Sequence, residues 1–385
     1  MNKEAEVNTK SEQKKDIKKI FKSIFIIAIT ISVGFLVGVA GSSFFLGTTE
    51  ENMVEESEVV ESTTEEAASE QSVESTVLVE EEQQPLYLPA EYDFKIDEIT
   101  VEIEGLIRGY DIAVVNDLHL ITDMEAGDVL EEHLPTVTNR YNNFAVTSDG
   151  VHADELWPEI IKFLNYYNFD GVVFAGDMLD YCSHSNMETL SEGINNLKYP
   201  KEKIMYIRSD NDYGGWYGGS VFTDADGFTL QAEFLDGDNG ENCIEFEEFQ
   251  IVGVNKSYQN LSEGRLSFLT EKMNEGKPVI MVTHVPFYSE EDSSLETFSM
   301  EKRNRIYYWN EENSTYCPDV NTQKFIDDMY DVNSNVVQLL AAHVHASWDG
   351  VVANDLKQHI FAPAYEGRIG IVHVIAPKEN DEVKK

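Results

Sequence analysis

Five short apolar runs in this chain each end in a cluster of aspartate, asparagine or histidine, and this arrangement restricts the fold more than any other feature. Runs such as GVVFA (Gly171–Ala175) and PVIMV (Pro278–Val282) are typical of strands buried on both faces of a sheet. Ligands of an open α/β sheet bind beyond the carboxyl ends of its strands. We therefore expect the polar ends of all five runs to meet along one edge of the fold.

The five clusters supply seven candidate metal ligands. They belong to VVNDLHL, VVFAGDMLD, MYIRSDNDYG, VIMVTHVP and LLAAHVHA, and the candidates are Asp117, His119, Asp177, Asp210, His284, His343 and His345. Imidazole and carboxylate together suit zinc, manganese or iron, whereas a calcium site prefers oxygen ligands alone. Each motif taken singly has an ordinary explanation, such as a surface histidine pair or a capped turn. Their shared position at strand ends predicts a metal centre.

Beyond about Leu86 the chain alternates strand-like runs with amphipathic stretches, which predicts a layered α/β domain over residues 86–378. The predicted strands are Ile99–Leu106, Asp111–Val115, Gly171–Ala175, Lys203–Ile207, Cys243–Phe246, Gln250–Val254, Val279–Thr283, Val336–Ala341 and Ile369–Ile375. The predicted helices are Ala153–Tyr167, Met187–Leu197, Glu263–Asn274 and Val320–Asp328. Two stretches without a clear period, Ile121–Gly150 and Ser289–Tyr316, are interpreted as insertions.

A segment without any charge, Ile24–Leu46, precedes this domain. It has about the length, roughly 20 residues, that a helix needs to cross a bilayer. Residues 1–23 form a basic tail and glutamates follow the segment, so the positive-inside rule predicts that the C-terminal bulk lies outside the cytoplasm. A cleaved signal peptide is the alternative, with Gly38–Ala40 as a small-residue cleavage site. The length of the apolar run favours a retained single-pass anchor in the cell membrane.

Residues 47–85 are rich in glutamate, serine and threonine, which predicts a disordered acidic stalk, and residues 379–385 form a charged tail. The chain has a net charge of −43, and such a surface repels nucleic acid. Three cysteines, Cys182, Cys243 and Cys317, are too few for a disulfide framework, although one bridge is compatible with the sequence.

The order of the motifs resembles the calcineurin-like metallophosphoesterase family. That family has Asp-x-His, Gly-Asp-x-x-Asp, Gly-Asn-His-Asp/Glu, a histidine often followed by x-Pro, and Gly-His-x-His, and the resemblance runs from about Gly109 to Ala376. It implies a four-layered α/β/β/α sandwich of mixed sheets and a pair of metal ions. Carried over by position, one ion would take Asp117, His119, Asp177 and His345, and the other Asp177, Asp210, His284 and His343. The last motif has Ala342 where the family usually has glycine.

The resemblance implies a hydrolase that cleaves a phosphate ester with a hydroxide shared by two divalent ions, manganese, zinc or iron. Two cations roughly 3.5–4 Å apart lower the pKa of the water from which such a hydroxide forms, and they neutralise charge on the phosphoryl group. A protein phosphatase is disfavoured, because the Arg-Gly that follows Gly-Asp-x-x-Asp in that branch is Tyr181-Cys182 here.

The third motif departs from the family, with Ser209-Asp210-Asn211 in place of Gly-Asn-His. Asp210 adds a negative charge, so we expect tighter metal binding and weaker attraction for a dianionic monoester. The family's histidine at position 211 assists the leaving group, with the second aspartate of Gly-Asp-x-x-Asp, here Asp180, as its partner. An amide cannot deliver a proton, which predicts a preference for good leaving groups such as phosphoanhydrides or aryl esters.

Other side chains near the motifs are candidates for catalysis or substrate binding. His184 is a candidate replacement for the missing histidine, beside the alternative of a solvated loop residue. Arg208 and Asn211 are candidate substrate-binding residues, and Arg303 or Arg305 could approach a phosphate oxygen, because an arginine fork suits phosphate.

These observations predict a membrane-anchored extracytoplasmic phosphoesterase acting on a phosphorylated small molecule or an envelope component. No protein partner can be read from the sequence. Asn211 leaves open a degenerate member that binds metal, ligand or partner without turnover. A third alternative is a surface interaction protein presented on the acidic stalk, in which alanine at all seven ligand positions would be tolerated.

Overall fold

A computed structural model of the chain describes residues 87–122, 129–214, 231, 241–254, 260–313 and 315–378. The basic tail, the apolar segment Ile24–Leu46, the stalk and the charged C-terminal tail lie outside these residues. No helix within the described ranges is both long and apolar enough to cross a membrane. The three cysteines, all of which are described, form no disulfide.

The described residues form eleven strands that build two mixed sheets. They are β1 (Lys95–Glu102), β2 (Tyr110–Val115), β3 (Gly171–Ala175), β4 (Ile204–Ile207), β5 (Glu241–Glu245), β6 (Gln250–Val254), β7 (Val279–Thr283), β8 (Val336–Ala341), β9 (Trp348–Ala353), β10 (Leu356–Ile360) and β11 (Arg368–Ile375). One sheet has the order β1-β11-β2-β3-β4, and the other has the order β5-β6-β7-β8-β10-β9.

Parallel strands form the centre of each sheet. Strands β2, β3 and β4 run parallel to one another, and so do β6, β7 and β8. Antiparallel pairs occur where β11 meets β2, where β5 meets β6 and where β10 meets β9. The carboxyl ends of neighbouring central strands therefore lie side by side in both sheets.

The described residues also form α-helices. They are α1 (Leu134–Asn143), α2 (Ala153–Tyr166), α3 (His184–Asn195), α4 (Asp210–Tyr213), α5 (Glu263–Asn274), α6 (Ser294–Arg303) and α7 (Val320–Tyr330). Strand β2 shows how the layers form, since Ile112 and Val114 pack between the sheets while Ala113 and Val115 face the helices. Helices α2 and α3 pack on that side, and α5 and α7 pack on the outer face of the second sheet.

The buried faces of the helices follow the helical period. In α2, Leu156, Ile160 and Leu164 are four residues apart and all fully buried against the sheet. Each such side chain contributes roughly 1.5–3 kcal/mol by burial. The layered α/β architecture predicted from the sequence is thus confirmed, with the order helix, sheet, sheet, helix.

Four predicted strands, β3, β6, β7 and β8, have the bounds observed in the structure. Others differ. Strand β1 begins at Lys95 rather than Ile99, because it is an edge strand whose side chains are mostly exposed and carry no clear apolar pattern. Helix α3 begins at His184 rather than Met187, because the Ser183 hydroxyl accepts a hydrogen bond from Asn186 N and caps it.

The hairpin of β9 and β10 was not predicted, because β10 buries polar side chains. Gln358 Oε1 accepts a hydrogen bond from Phe287 N at 2.9 Å, and Gln358 Nε2 donates to Phe287 O at 3.0 Å. Both predicted insertions also contain helices, α1 in one and α6 in the other. Helices α1 and α6 lie at the same end of the fold as the carboxyl ends of the central strands.

Candidate metal centre

The seven candidate ligands follow the carboxyl ends of five central strands. Asp117 and His119 follow β2, Asp177 follows β3, and Asp210 begins helix α4 three residues after the end of β4. In the second sheet His284 follows β7, and His343 and His345 follow β8. Because these strands are parallel neighbours, their ends bring the side chains together at one edge of the sandwich.

The structure gathers the candidate ligands into two groups that share Asp177. Within each group the ligand atoms all lie within 4.8 Å of one another. One group is Asp117, His119, Asp177 and His345, and the other is Asp177, Asp210, His284 and His343. These are the two sets that the resemblance implied.

Asp177 lies between the two groups. Its Oδ2 atom is 3.6 Å from His119 Nε2 in one group and 3.4 Å from His284 Nε2 in the other. Asn211 Nδ2 donates to the same oxygen at 2.7 Å, and the Ser209 hydroxyl donates to Asp177 Oδ1. Asp177 is therefore placed to contact two ions at once.

Two pairs of imidazole nitrogens approach each other closely. His119 Nε2 lies 3.2 Å from His345 Nε2, and His284 Nε2 lies 3.1 Å from His343 Nδ1. Nitrogens that each bind one ion at about 2.0–2.1 Å are roughly 3–3.4 Å apart in common coordination geometries. The donor set therefore fits two divalent transition-metal ions.

Backbone strain is concentrated at these residues. Five of the seven non-glycine residues with positive φ in the described chain are candidate ligands, namely Asp117, His119, Asp177, His343 and His345, with φ between 47° and 70°. Such left-handed conformations cost about 1–3 kcal/mol each and cluster at functional sites. The fold thus maintains an unfavourable backbone where the ligands converge.

In three of the four histidines among the candidate ligands, the ring nitrogen that points away from the site lies within hydrogen-bonding distance of an oxygen. His119 Nδ1 lies 3.0 Å from Asp180 Oδ1, His284 Nδ1 lies 2.8 Å from Ala175 O, and His345 Nδ1 lies 3.2 Å from the Tyr365 hydroxyl. These contacts direct Nε2 to the site. His343 instead turns Nδ1 inward and stacks on Tyr307, with ring centroids 3.9 Å apart.

Charges within the cluster set the protonation of the ligands. Burial opposes ionisation of Asp117, but the imidazoles of His345, His284 and His119 hold its pKa well below the usual range. Burial lowers the pKa of His345 to about 4. Burial also lowers the pKa of His284, but the Asp177 carboxylate prevails and raises it to about 10. An ion bound between His284 and Asp177 would therefore displace a proton.

The Asp212 carboxylate, in the third motif, accepts hydrogen bonds that connect it to the second motif. The donors are the backbone N–H groups of Asp177, Leu179 and Ser209 at 2.9–3.0 Å. Burial, together with the negative charge of Asp177, raises the pKa of Asp212 to about 7. This carboxyl group orients the loop that presents Asp177.

A cavity of about 420 Å³ opens onto the two groups. Its floor is formed by His119, Asp177, Asp210, Asn211, His343 and His345. The two stretches interpreted as insertions supply its walls: Thr136, Asn139, Arg140 and Phe144 from one, and Arg303 and Tyr307 from the other. Both stretches therefore belong to the candidate site.

The structure places the other predicted site residues differently. Asn211 lines the cavity, whereas Asp180 is fully buried and accepts hydrogen bonds from Arg140 and lies against His119. The expected pairing of Asp180 with position 211 is replaced by these contacts, because Asn211 donates to Asp177.

Two sequence candidates do not reach the cavity. His184 is exposed at the first residue of α3 and is not among the described lining residues. Arg208 is fully buried, with its guanidinium 4.9 Å from the centroid of the Tyr213 ring, and it too is absent from that lining. Arg303 does line the cavity, but the exposed Arg305 does not belong to the described lining.

Sequence reasoning missed Arg140, Phe144, Tyr307 and Tyr365. None belongs to a motif, and three of them lie in stretches without periodicity. An arginine and aromatic residues close to a motif are too common to be a signal by themselves.

Gly176, which precedes Asp177, gives a first testable prediction. Its φ is +88°, and a Cβ there would lie 2.6 Å from His284 Nδ1. We expect Gly176→Ala to destabilise the protein by about 1–3 kcal/mol and to reduce metal binding, since it strains the backbone and displaces a candidate ligand. Chemical denaturation and metal analysis measure both effects.

Gly264→Ala is the matched control, because Gly264 lies in α5 and its Cβ would meet no atom within 4 Å. This variant should be as stable as the parent or slightly more stable. Equal metal content in the parent and Gly176→Ala would contradict the assigned position of His284.

One family model and several solved structures are similar to this chain. A family model described as calcineurin-like phosphoesterase matches residues 110–347. A search of curated proteins found no match. Similar solved structures include a dimetal phosphatase from Danio rerio, with 9% identity, a TM-score of 0.40, and coverage of 67% of this chain and 88% of that one.

Two further structures are similar at comparable levels. Purple acid phosphatase PPD1 from yellow lupin has 12% identity and a TM-score of 0.41, with coverage of 73% of this chain and 48% of that one. The phosphopantetheinyl hydrolase of Mycobacterium tuberculosis has 12% identity and a TM-score of 0.35, with coverage of 66% and 90%.

Proposed function

The chain belongs to the calcineurin-like phosphoesterase family, a family of binuclear metal-dependent hydrolases, and on that premise we propose that it hydrolyses a phosphate ester or phosphoanhydride outside the cytoplasm. The observation that carries the proposal is the pair of ligand groups sharing Asp177 at the floor of one cavity. Asp117, His119 and His345 would hold one ion, and Asp210, His284 and His343 the other. The ions would supply a nucleophile near neutral pH and neutralise phosphoryl charge.

The chain's own residues then position the substrate. Asn211 lies on the cavity floor, where its amide is fixed by Asp177 Oδ2. Every histidine in the described lining is a candidate ligand, and burial raises the pKa of the Tyr307 hydroxyl, which therefore keeps its proton. Apart from the candidate ligands, the described residues that line the cavity therefore include no side chain that could donate a proton near neutral pH, which favours substrates with good leaving groups.

Membrane attachment is a further part of the proposal. The uncharged segment Ile24–Leu46 and the lysines before it support a single-pass anchor with the hydrolase domain outside the cytoplasm. The substrate would then be a phosphorylated small molecule or an envelope component. Protease treatment of intact cells should degrade the domain and spare the basic tail; protection of the domain would contradict this orientation.

The direct test uses the full-length chain, stripped by a chelator and reloaded with manganese, zinc or iron. Metal analysis should find two ions per chain, and the loaded protein should hydrolyse bis(p-nitrophenyl) phosphate. Because Asp210 brings a third carboxylate to the ions, we expect p-nitrophenyl phosphate, a dianionic monoester, to be the poorer substrate. A chain that binds no metal under saturating supply would refute the proposal.

The same assay tests the alternative of a non-catalytic member, which Asn211 favours because it replaces the family's histidine. Such a protein would bind two ions and hydrolyse neither substrate. It would then act as a ligand-binding or partner-binding protein at the surface.

A further inference from the structure

We propose that Arg140 and Arg303 form a second anion subsite beside the metal centre, and that the substrate is therefore a phosphoanhydride whose leaving phosphate binds there. The inference rests on the proposed function for the attacked phosphate and adds the class of substrate. Three features support it: the positions of the two arginines, the hydrogen bonds from Arg140 to Asp180, and the presence of asparagine at position 211.

Arg303 is the last residue of α6 and lines the cavity. Its Nη2 atom donates to the backbone oxygen of His343 at 3.0 Å, which places the guanidinium next to a candidate ligand of one ion. Its Nε–H is buried and has no acceptor among the described residues. A buried donor without an acceptor costs about 1–3 kcal/mol, and a bound anion would remove that cost.

Arg140 lines the same cavity and belongs to helix α1. Its Nε donates to Asp180 Oδ2 at 2.7 Å, Nη2 donates to Asp180 Oδ1, and its Cζ lies 4.0 Å from the centroid of the Phe144 ring. Asp180 also holds His119, a candidate ligand of the other ion. The guanidinium is thus fixed in place beside the centre by a carboxylate and a ring.

Both arginines belong to the lining of one cavity, which also includes candidate ligands. Arg140 contacts Asp180, which lies against His119, and Arg303 contacts the backbone of His343, so the two cations approach the metal centre from two separate segments of the chain. A cavity of about 420 Å³ falls in the usual range for small-molecule sites, roughly 300–1,000 Å³.

The chemistry of these cations indicates the kind of leaving group. In the related family the carboxylate at position 180 partners a histidine, whereas here Arg140 occupies that carboxylate and position 211 is Asn211. An arginine stabilises negative charge but does not deliver a proton, because its guanidinium stays protonated at any physiological pH. An alkoxide leaving group needs protonation, whereas a phosphate leaving group needs only charge stabilisation.

The reaction balances without an added reagent. The oxygen of one water forms a bond to the attacked phosphorus, and the bond from that phosphorus to the bridging oxygen breaks. The bridging oxygen leaves with the electron pair on the second phosphate, beside Arg140 and Arg303; one proton of the water is released to solvent and the other stays on the oxygen now bound to the attacked phosphorus. Two phosphate-containing products result, with no oxidation or reduction.

Binding of non-hydrolysable analogues to the metal-loaded full-length chain tests the subsite. α,β-Methylene-ADP and AMP share a nucleoside and differ by one phosphate, so their affinity ratio, measured by calorimetry, reports the second anion site. We expect α,β-methylene-ADP to bind about tenfold more tightly or better, a difference of about 1.4 kcal/mol. Arg303→Met should bring the two affinities within about twofold of each other, with AMP affinity little changed.

Arg305→Met is the matched control, because both arginines lie over the Tyr307 ring, Arg303 at 5.0 Å and Arg305 at 4.3 Å from its centroid, but Arg305 is exposed and is not among the described residues that line the cavity. It should keep the parent's ratio. Arg140→Lys, which retains the charge and loses the fork, should lower the ratio. Arg303→Gln serves as the second variant if Arg303→Met does not fold.

Two outcomes overturn the inference: equal affinity for both analogues in the parent, or an unchanged ratio in both Arg303 variants. Its failure is distinguishable from failure of the proposed function. A chain that hydrolyses aryl phosphodiesters without the affinity difference retains the function and loses the subsite. A chain with an Arg303-dependent difference and no hydrolysis of any phosphate substrate retains the subsite and loses the function.

Discussion

Asp177→Asn should lower kcat/KM for bis(p-nitrophenyl) phosphate by about 10³-fold or more, which corresponds to roughly 4 kcal/mol of transition-state stabilisation. The reason is geometric, since Asp177 belongs to both ligand groups and its Oδ2 lies 3.4 and 3.6 Å from histidines of the two groups. An amide keeps the shape but loses the charge and one acceptor. Metal analysis should show fewer than two ions per chain.

Asp355→Asn provides the control for that variant, because Asp355 is exposed in the turn between β9 and β10 and the chemical change is the same. It should retain both ions and the parent's rate. An Asp177→Asn protein that keeps two ions and full activity would show that the shared carboxylate does not bridge, and the assignment of the two ligand groups would fail with it.

Asn211→His should raise activity most for the poorest leaving groups, by about 10- to 10²-fold for an alkyl phosphodiester. Position 211 lies on the cavity floor, and an imidazole there could donate a proton to the departing oxygen, an effect typically worth roughly 10²–10⁴-fold. We expect a gain at or below the lower limit of that range, because Asp180, the family's partner for this histidine, is engaged by Arg140 and His119.

The measurement is kcat/KM across diesters of increasing leaving-group pKa, and the dependence on that pKa should become shallower in the variant. Asn211→Gln is the control, since it retains an amide and adds no acid, and it should keep the parent's steep dependence. A uniform gain or loss across the series in Asn211→His would indicate altered binding rather than proton donation.

Local sequence pattern determined the central strands and the places where they end. Strands β3, β6 and β7 are buried at every position, so their apolar runs mark both boundaries. Because the ends of parallel neighbours meet at one edge, the sequence alone was sufficient to assign the residues that follow these strands to one site. The two ligand groups match that assignment.

Features without a local pattern escaped prediction. Strand β10 buries Gln358, whose hydrogen bonds go to the backbone of Phe287, 71 residues earlier in the chain. From the sequence alone, the polar residues of β10 indicate an exposed segment, because the hydrogen-bond partners of Gln358 are not apparent. The helices of the two insertions were missed in the same way, since their few buried residues pack against parts of the fold distant in sequence.

The sequence by itself determined which side chains can bind metal and that they meet, because strand period and strand ends are properties of neighbouring residues. The tertiary structure alone decided what surrounds the metals. Arg140 meets Asp180, and Arg303 meets His343, across 40 residues in each case. Such pairings depend on how separate segments pack, and no spacing along the chain encodes them. The cations at the cavity walls, and the class of substrate inferred from them, therefore came from the fold.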